Sequence, residues 1–488
     1  MKTNHSFVSK VLVALSVFVP ITLAIYAFVP TMLDLKYSDP LTVYFPPFAS
    51  RSHASNHGHL GAEYWHVAES LCRGDGYSSP FGIASGPTAW MPPALPTLLA
   101  GIHYTVGQDK KITTAVYVTL NLLVFAWVAW QVARASMSDN RLVNAFIPIS
   151  ILVVYLANFN DNFQRTHDGT LLLLVMHLIV GFVMVEHDWV GSRRAMICWG
   201  LLGGIASLSS PAILFAWLAM SLRYAWILNM PKPLAVATGD MEPMALAMGG
   251  AGTNSISDGT TKPVSSAIGS GRRVVIAVLI AFMIQTPWLV RNYIQFSKFV
   301  PVKNNGLFEL EQSLLRDDDG VVDFGVDLHH PYTDRKEAKL HADLGEVAYV
   351  EQRVGPLREK FWDRKWVYVE HCCNRVFAML VWQMPLTPNE ERYTWTHVAR
   401  FLYAIPWIVF LTSLIPDIPL SRAQKNVLLL AVVFLLPYAI LSYYSRYMIP
   451  LMGVRCLLMI WGIERWLTCL SLARAKRLRF KTSNVLTE

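Results

Sequence analysis

The chain has 488 residues, of which 53% are apolar and only 16% charged. A soluble chain of this length divides into two or three domains, each with its own charged surface, and this composition excludes that arrangement. The net charge of +8 sits at the ends of apolar segments and in the tail, so it reports orientation in a membrane rather than binding to nucleic acid.

The N-terminus reads MKTNHSFVSK and continues into an apolar run from Val11 to Val29. The charge order is that of a signal peptide, but the run is long and no small-residue cleavage site follows. It is expected to be an uncleaved first span with its N-terminus inside. A polar stretch, 31–91, comes next. Within it, Glu63 to Leu71 has helical spacing, with Tyr64, Val67, Ala68 and Leu71 on one face. Glu63, His66 and Glu69 or Ser70 fall towards the other. Such a helix lies on a membrane with its carboxylates at the water boundary. Gly74 and Gly76 end it, and Pro92, Pro93 and Pro96 shape the approach to the next segment.

Apolar segments follow near 92–107, 113–133, 142–158, 170–186, 195–209 and 211–228. Stretch 229–273 is rich in Gly, Ser, Thr, Ala and Pro and reads as a flexible linker. Its Lys232, Lys262, Arg272 and Arg273 place it in the cytoplasm. A span at 274–290 leads to a second long polar stretch, 291–398. Inside that stretch, 375–385 is too short to span alone. It either extends back through preceding polar residues or lies at the interface. Spans at 399–416, 425–443 and 446–467 complete the set. Arg474, Lys476, Arg477, Arg479 and Lys481 then put the C-terminus inside. The expected organisation is all-α and multi-pass, with about 10–13 membrane helices. A first module, 1–228, carries the outer loop 31–91. The linker 229–273 joins it to a second module, 274–488, with outer loop 291–398 and a basic cytoplasmic tail.

Parity constrains this topology. Two loops on one face need an even number of crossings between them, and seven candidates lie between these two. Either 92–107 only dips into the membrane, which keeps Arg134, Arg141, Arg193 and Arg194 inside, or 195–228 crosses once despite the break at Ser209-Ser210-Pro211. The charges favour the first option.

Six cysteines (Cys72, Cys198, Cys372, Cys373, Cys456 and Cys469) form no metal-type pair and no disulfide framework. His57, His59 and His66 lack an acidic or thiol partner at ligand spacing, so no metal site is expected. His329 and His330, before Pro331, read as structural. No internal repeat is visible, and few ionisable residues fall in mid-span. Both features weigh against a transporter or flippase for a lipid-linked glycan, the main alternative to an enzyme. A non-catalytic scaffold in an envelope assembly is a third possibility.

Several segments carry a resemblance. In order they are Glu63-Tyr64, AESLCRGDGYSSPFG, GPTAWMPPALPTLLAG, RTHDGTLLLL, GLLGGIASLSSPAILF, TPWLVRNYIQFSKFVPVKNN, HPYTDRKEAKLHADLGEVAYVEQ and YSRYMIP. Together they resemble the polyprenyl-phosphate-sugar-dependent glycosyltransferases of the C-type membrane fold. These are relatives of the protein O-mannosyltransferases and lipid A aminoarabinose transferases in glycosyltransferase family 39. The likeness covers most of the chain except 229–273.

The resemblance implies transfer of a sugar, with inversion, from a polyprenyl phosphate to a lipid, glycan or protein acceptor. It also implies a site facing the periplasm or outside of a bacterial inner membrane, and no required metal or other cofactor. Glu63 matches the first-loop base. Many members have an aspartate there, so Asp34, Asp39 and Glu69 compete for the role, and Tyr64 is the accompanying aromatic. Arg291 and Asn292 are either the snorkelling end of a span or a donor-phosphate site. Arg446, between tyrosines, is either an interface anchor or, as the resemblance implies, a second phosphate or sugar contact. Lys298 and Lys303 are weaker candidates. Asp168 reads as a helix-start carboxylate, with support of the active-site loop as its other reading.

Overall fold

The computed structural model describes residues 60–158, 168–185, 192–229, 265–316, 320–321, 329–332, 334–382 and 394–485, with short pieces between 11 and 49. Most of the expected first span, Asp34, Asp39, His57, His59 and the centre of the linker lie outside the described residues. The protein is all-α apart from a two-strand ribbon, Val43–Phe45 with Phe48–Ala49. Among the described residues, four helices are long and apolar enough to cross a membrane: Lys110–Ala135, Gly271–Phe296, Arg422–Ile440 and Arg446–Arg477. The chain is therefore a multi-pass membrane protein by helix length and composition.

Helix α1, Ala62–Arg73, is followed by α2, Ala94–Thr105. Gly74 closes α1 in the left-handed region (φ 87°), where glycine meets no Cβ penalty. At 12 residues, α2 reaches only about 18 Å, too short to span. It packs along α1: Trp65 meets His103 edge-to-face, and Cys72 Sγ lies 3.5 Å from the Ala100 carbonyl. Next is α3, Lys110–Ala135. Thr113, in its first turn, pairs with His103 Nδ1 at 2.8 Å, and Lys110 sits over the Trp65 ring. The C-terminal half of α2 and the start of α3 thus lie against α1, an arrangement that fits a dip at 92–107.

Helix α4, Arg141–Ala157, precedes α5, Gly169–Met184, then α6, Arg193–Ser209, and α7, Pro211–Asn229. Proline at 211 starts a new helix rather than continuing α6. Trp199 Nε1 donates to Ser221 Oγ at 2.9 Å, and Trp217 Nε1 to the Trp199 carbonyl at 3.1 Å. These partners lie on either side of the turn, so α6 and α7 form a hairpin and do not make one continuous crossing. Helix α8, Ser265–Phe296, runs parallel to α6. Gly200 faces Ala277 and Ile280, and Gly204 faces Ile284. Without side chains at 200 and 204 the backbones approach closely, the usual device for packing helices in lipid.

The second half supplies the small helices α9, Gly306–Glu311, α10, Arg335–Leu344, and α11, Glu346–Glu351. Helices α12, Val354–Asp363, and α13, Lys365–Phe377, follow. Then come α14, Thr394–Thr412, α15, Arg422–Ile440, and α16, Met452–Val485. A 3-10 turn, Ser445–Leu451, leads into α16. Arg455 donates to the Tyr403 carbonyl and Arg465 to the Ser413 carbonyl, so α16 runs parallel to α14. Arg223 and Asn426 join the end of α7 to the start of α15.

These pairings give the bundle two ends. One end collects α1, the α6–α7 turn, the described residues of 297–382 and the 3-10 turn. The other collects Arg134, Arg141, Arg193, Arg194, Arg272 and Arg422, with the basic tail. The core between them is dominated by α3, α5, α7 and α16, with Val128, Leu173, Trp217 and Ile460 buried.

Candidate functional site

At the first of these ends, six ionisable side chains from five separate chain segments converge. Glu63 projects from the polar face of α1. Its neighbours Tyr64, Trp65, Val67 and Ala68 are buried and anchor the helix. The Glu63 carboxylate faces His330, with Nε2 to Oε1 at 3.7 Å. The backbone N–H of Tyr332 donates to His330 Nδ1 at 3.1 Å, so in the neutral ring the proton sits on Nε2, towards Glu63. Burial lowers the His330 pKa, which keeps the ring neutral.

Asp168 occupies the N-cap position of α5 but makes no side-chain cap there. Instead it accepts the Tyr64 hydroxyl at 2.7 Å, which ties α1 to the start of α5. Burial, then Asp168, raises the Tyr64 pKa, so the phenol stays protonated. Of the two readings of Asp168, the hydrogen bond favours support of the first loop. Glu309, from α9, accepts the Ser442 hydroxyl at 3.1 Å and an Asn305 amide N–H at 3.2 Å. Lys303 lies among Glu309, Asp168, Arg446 and Glu63, and burial lowers its pKa. Arg446 interacts electrostatically with Asp168 and Glu63. Its guanidinium is flanked by the Tyr444 ring at 4.7 Å and the Tyr447 ring at 5.6 Å.

Glu63, Asp168 and Arg446 are thus brought together with Tyr64, as the sequence suggests. Lys303 proves more central than expected, and His330 and Glu309 are additions. The spacing of the sequence does not reveal them, because each reaches the site from a different segment. Glu63 is the carboxylate best placed to act on an incoming group. Asp168 and Glu309 are already hydrogen-bonded to hydroxyls, whereas the Glu63 carboxylate faces the His330 ring. Glu69 lies further along the polar face of α1 and pairs with His66 at 3.4 Å.

Arg291 and Asn292 sit in a separate cluster. Arg291 donates to the Tyr77 carbonyl at 2.6 Å and the Thr88 carbonyl at 2.7 Å, and it stacks beside Tyr77 and Trp288. Asn292 is fully buried and donates to the Val300 carbonyl. Beside them, Glu346 accepts both the Thr88 hydroxyl and the Ala89 N–H. Burial pushes the Glu346 pKa up to about 7, against the lowering effect of Thr88, Ala89 and Arg291. The cluster clamps segment 77–89 to the end of α8 and the start of α11, so its role here is to position the loop that carries the site.

No metal-binding group of His, Cys, Asp and Glu occurs among the described residues, and the described cysteines are unpaired. Compared with protein-family models, curated proteins and solved structures, the chain matches none.

Proposed function

We propose that the protein is a membrane glycosyltransferase of the C-type kind, moving a sugar from a polyprenyl-phosphate donor to an acceptor hydroxyl. The observation that carries this reading is the convergence of Glu63 with Lys303 and Arg446 at one end of the helical bundle. A base and two cations are what such a transfer requires. Glu63 takes the proton of the acceptor hydroxyl as its oxygen attacks the anomeric carbon. The bond from that carbon to the phosphate oxygen breaks on the opposite face, which inverts the centre. Negative charge then grows on the departing phosphate, where Lys303 and Arg446 bind it most strongly. His330 and Tyr64 hold the base and its brace in place. The basic residues at the far end of the bundle support an outer-face site under the positive-inside rule. The inner membrane of a bacterium is the setting this chemistry implies.

The test is transfer by purified protein from a panel of polyprenyl-phosphate sugars, wild type against Glu63→Gln. Transfer untouched by the substitution removes Glu63 as base. Absence of transfer from every donor favours a transporter or flippase of a lipid-linked glycan. Within the bundle, however, Arg455 and Arg465 are engaged with backbone carbonyls of α14 and the following turn. They brace helices.

A further inference from the structure

Helix α13 has its polarity reversed relative to a helix on a soluble protein. Its inward face carries His371 and Arg375, which are 1% and 0% exposed. His371 Nδ1 lies 3.0 Å from the Ser313 carbonyl. Arg375 donates to the carbonyls of Gly320, Ala439 and Ile440 and to the Ser313 hydroxyl. The outward face instead presents Trp366, Val369, Cys373, Val376 and Phe377, with exposed Glu370 at its edge and Trp366 74% exposed. Trp362, at the end of α12, is 70% exposed beside them. In water, this arrangement would leave two indoles and a phenyl ring solvated while a guanidinium is buried, the opposite of what water favours.

The attachment of α13 fixes its depth. Arg375 and the Tyr368 hydroxyl both donate to the Ile440 carbonyl, the last residue of α15. With 19 residues, α15 covers about 28 Å, close to a full hydrocarbon thickness. Its final turn therefore lies at the hydrocarbon boundary, and α13 crosses over it there. The outward side chains Val432, Leu436 and Ile440 of α15 form an exposed apolar stripe that leads to this junction. Lys365, near the Trp366 ring, and Arg358 supply cations on the water side.

We propose that α13, with Trp362, is an interfacial membrane element whose outward face is covered by lipid of the leaflet at the site end. Val369, Val376 and Phe377 reach the upper acyl chains, and Trp362 and Trp366 sit among the headgroups, where indoles are favoured. The long second polar stretch is thereby tied to the bilayer at a fixed height, independently of what the site transfers.

Nitroxide labels at positions 366, 369 and 377, one at a time, test this in vesicles of phosphatidylethanolamine and phosphatidylglycerol. Labels at exposed Glu359 and Lys339 serve as aqueous references. The expected result is a several-fold higher ratio of oxygen to nickel-chelate relaxation at 366, 369 and 377 than at 359 and 339. Equal ratios at all five positions overturn the proposal. So does a short spin–spin distance between copies at 366, which assigns the face to a second chain. Native Cys373, exposed on this face, gives a reading without substitution there. With the other cysteines replaced, it should resist a water-soluble maleimide in vesicles and react once detergent is added. Rapid labelling in vesicles overturns the proposal equally.

Discussion

Replacing Glu346 by Gln tests the clamp that holds the first loop. The wild-type carboxyl is buried between Thr88, Ala89 and Arg291, and its pKa is pushed up from 4.5 to about 7. A gap of about 2.5 units at 1.36 kcal/mol each corresponds to roughly 3 kcal/mol. The sign follows from which state holds the proton more tightly. Between these two values the folded protein binds it and the unfolded chain does not, so stability falls as pH rises through about 7. His330 and His341, buried and neutral with lowered pKa values, act in the opposite direction. Both are present in either protein, so the difference between wild type and variant isolates Glu346. Melting temperatures in detergent micelles, followed by intrinsic fluorescence from about pH 5 to about pH 8, provide the measurement. The wild-type value minus the variant value should shrink by several degrees across that window. A difference that is flat or grows with pH refutes the account of Glu346 as a buried acid at the clamp.

Glu63→Gln should cut transfer by about two to four orders of magnitude while leaving the melting temperature close to wild type. Equal losses of both would make Glu63 structural. Arg446→Met and Lys303→Met should each lower kcat more than they raise KM, because the phosphate charge they meet grows in the transition state; a pure KM effect would assign them to ground-state binding. Arg291→Met removes the guanidinium donor from the Thr88 carbonyl and from the Tyr77 carbonyl, which keeps the Thr88 N–H. It should cost about 2 kcal/mol or more in stability, read as a lower melting temperature, and an unchanged melting temperature with lost transfer would return Arg291 to the phosphate. Gly204→Val drives a side chain into Ile284, which lies 2.6 Å from an ideal Cβ, so α6 and α8 should separate and yield of folded protein should fall. Normal yield would show that the helices can part without cost.

Apolar run length and the placement of basic residues were enough to determine a multi-pass helical protein, with its basic loops at one end. The amphipathic stretch Glu63 to Leu71 likewise forecast α1 and its polar face. Both are local properties, written in consecutive residues. Parity posed the question at 92–107, and the packing that bears on it is visible only in three dimensions, where Trp65, His103 and Thr113 hold the end of α2 and the start of α3 against α1. The roles of the charged residues were also decided in three dimensions. Arg291 and Arg446 look equally fit to hold phosphate in the sequence, yet Arg291 is consumed by carbonyls of a loop some two hundred residues earlier. Lys303, Glu309 and His330 join Glu63 for the same reason. An electrostatic site is a matter of distance in space, and no spacing along the chain encodes which of its separate segments the fold will bring within reach of one another.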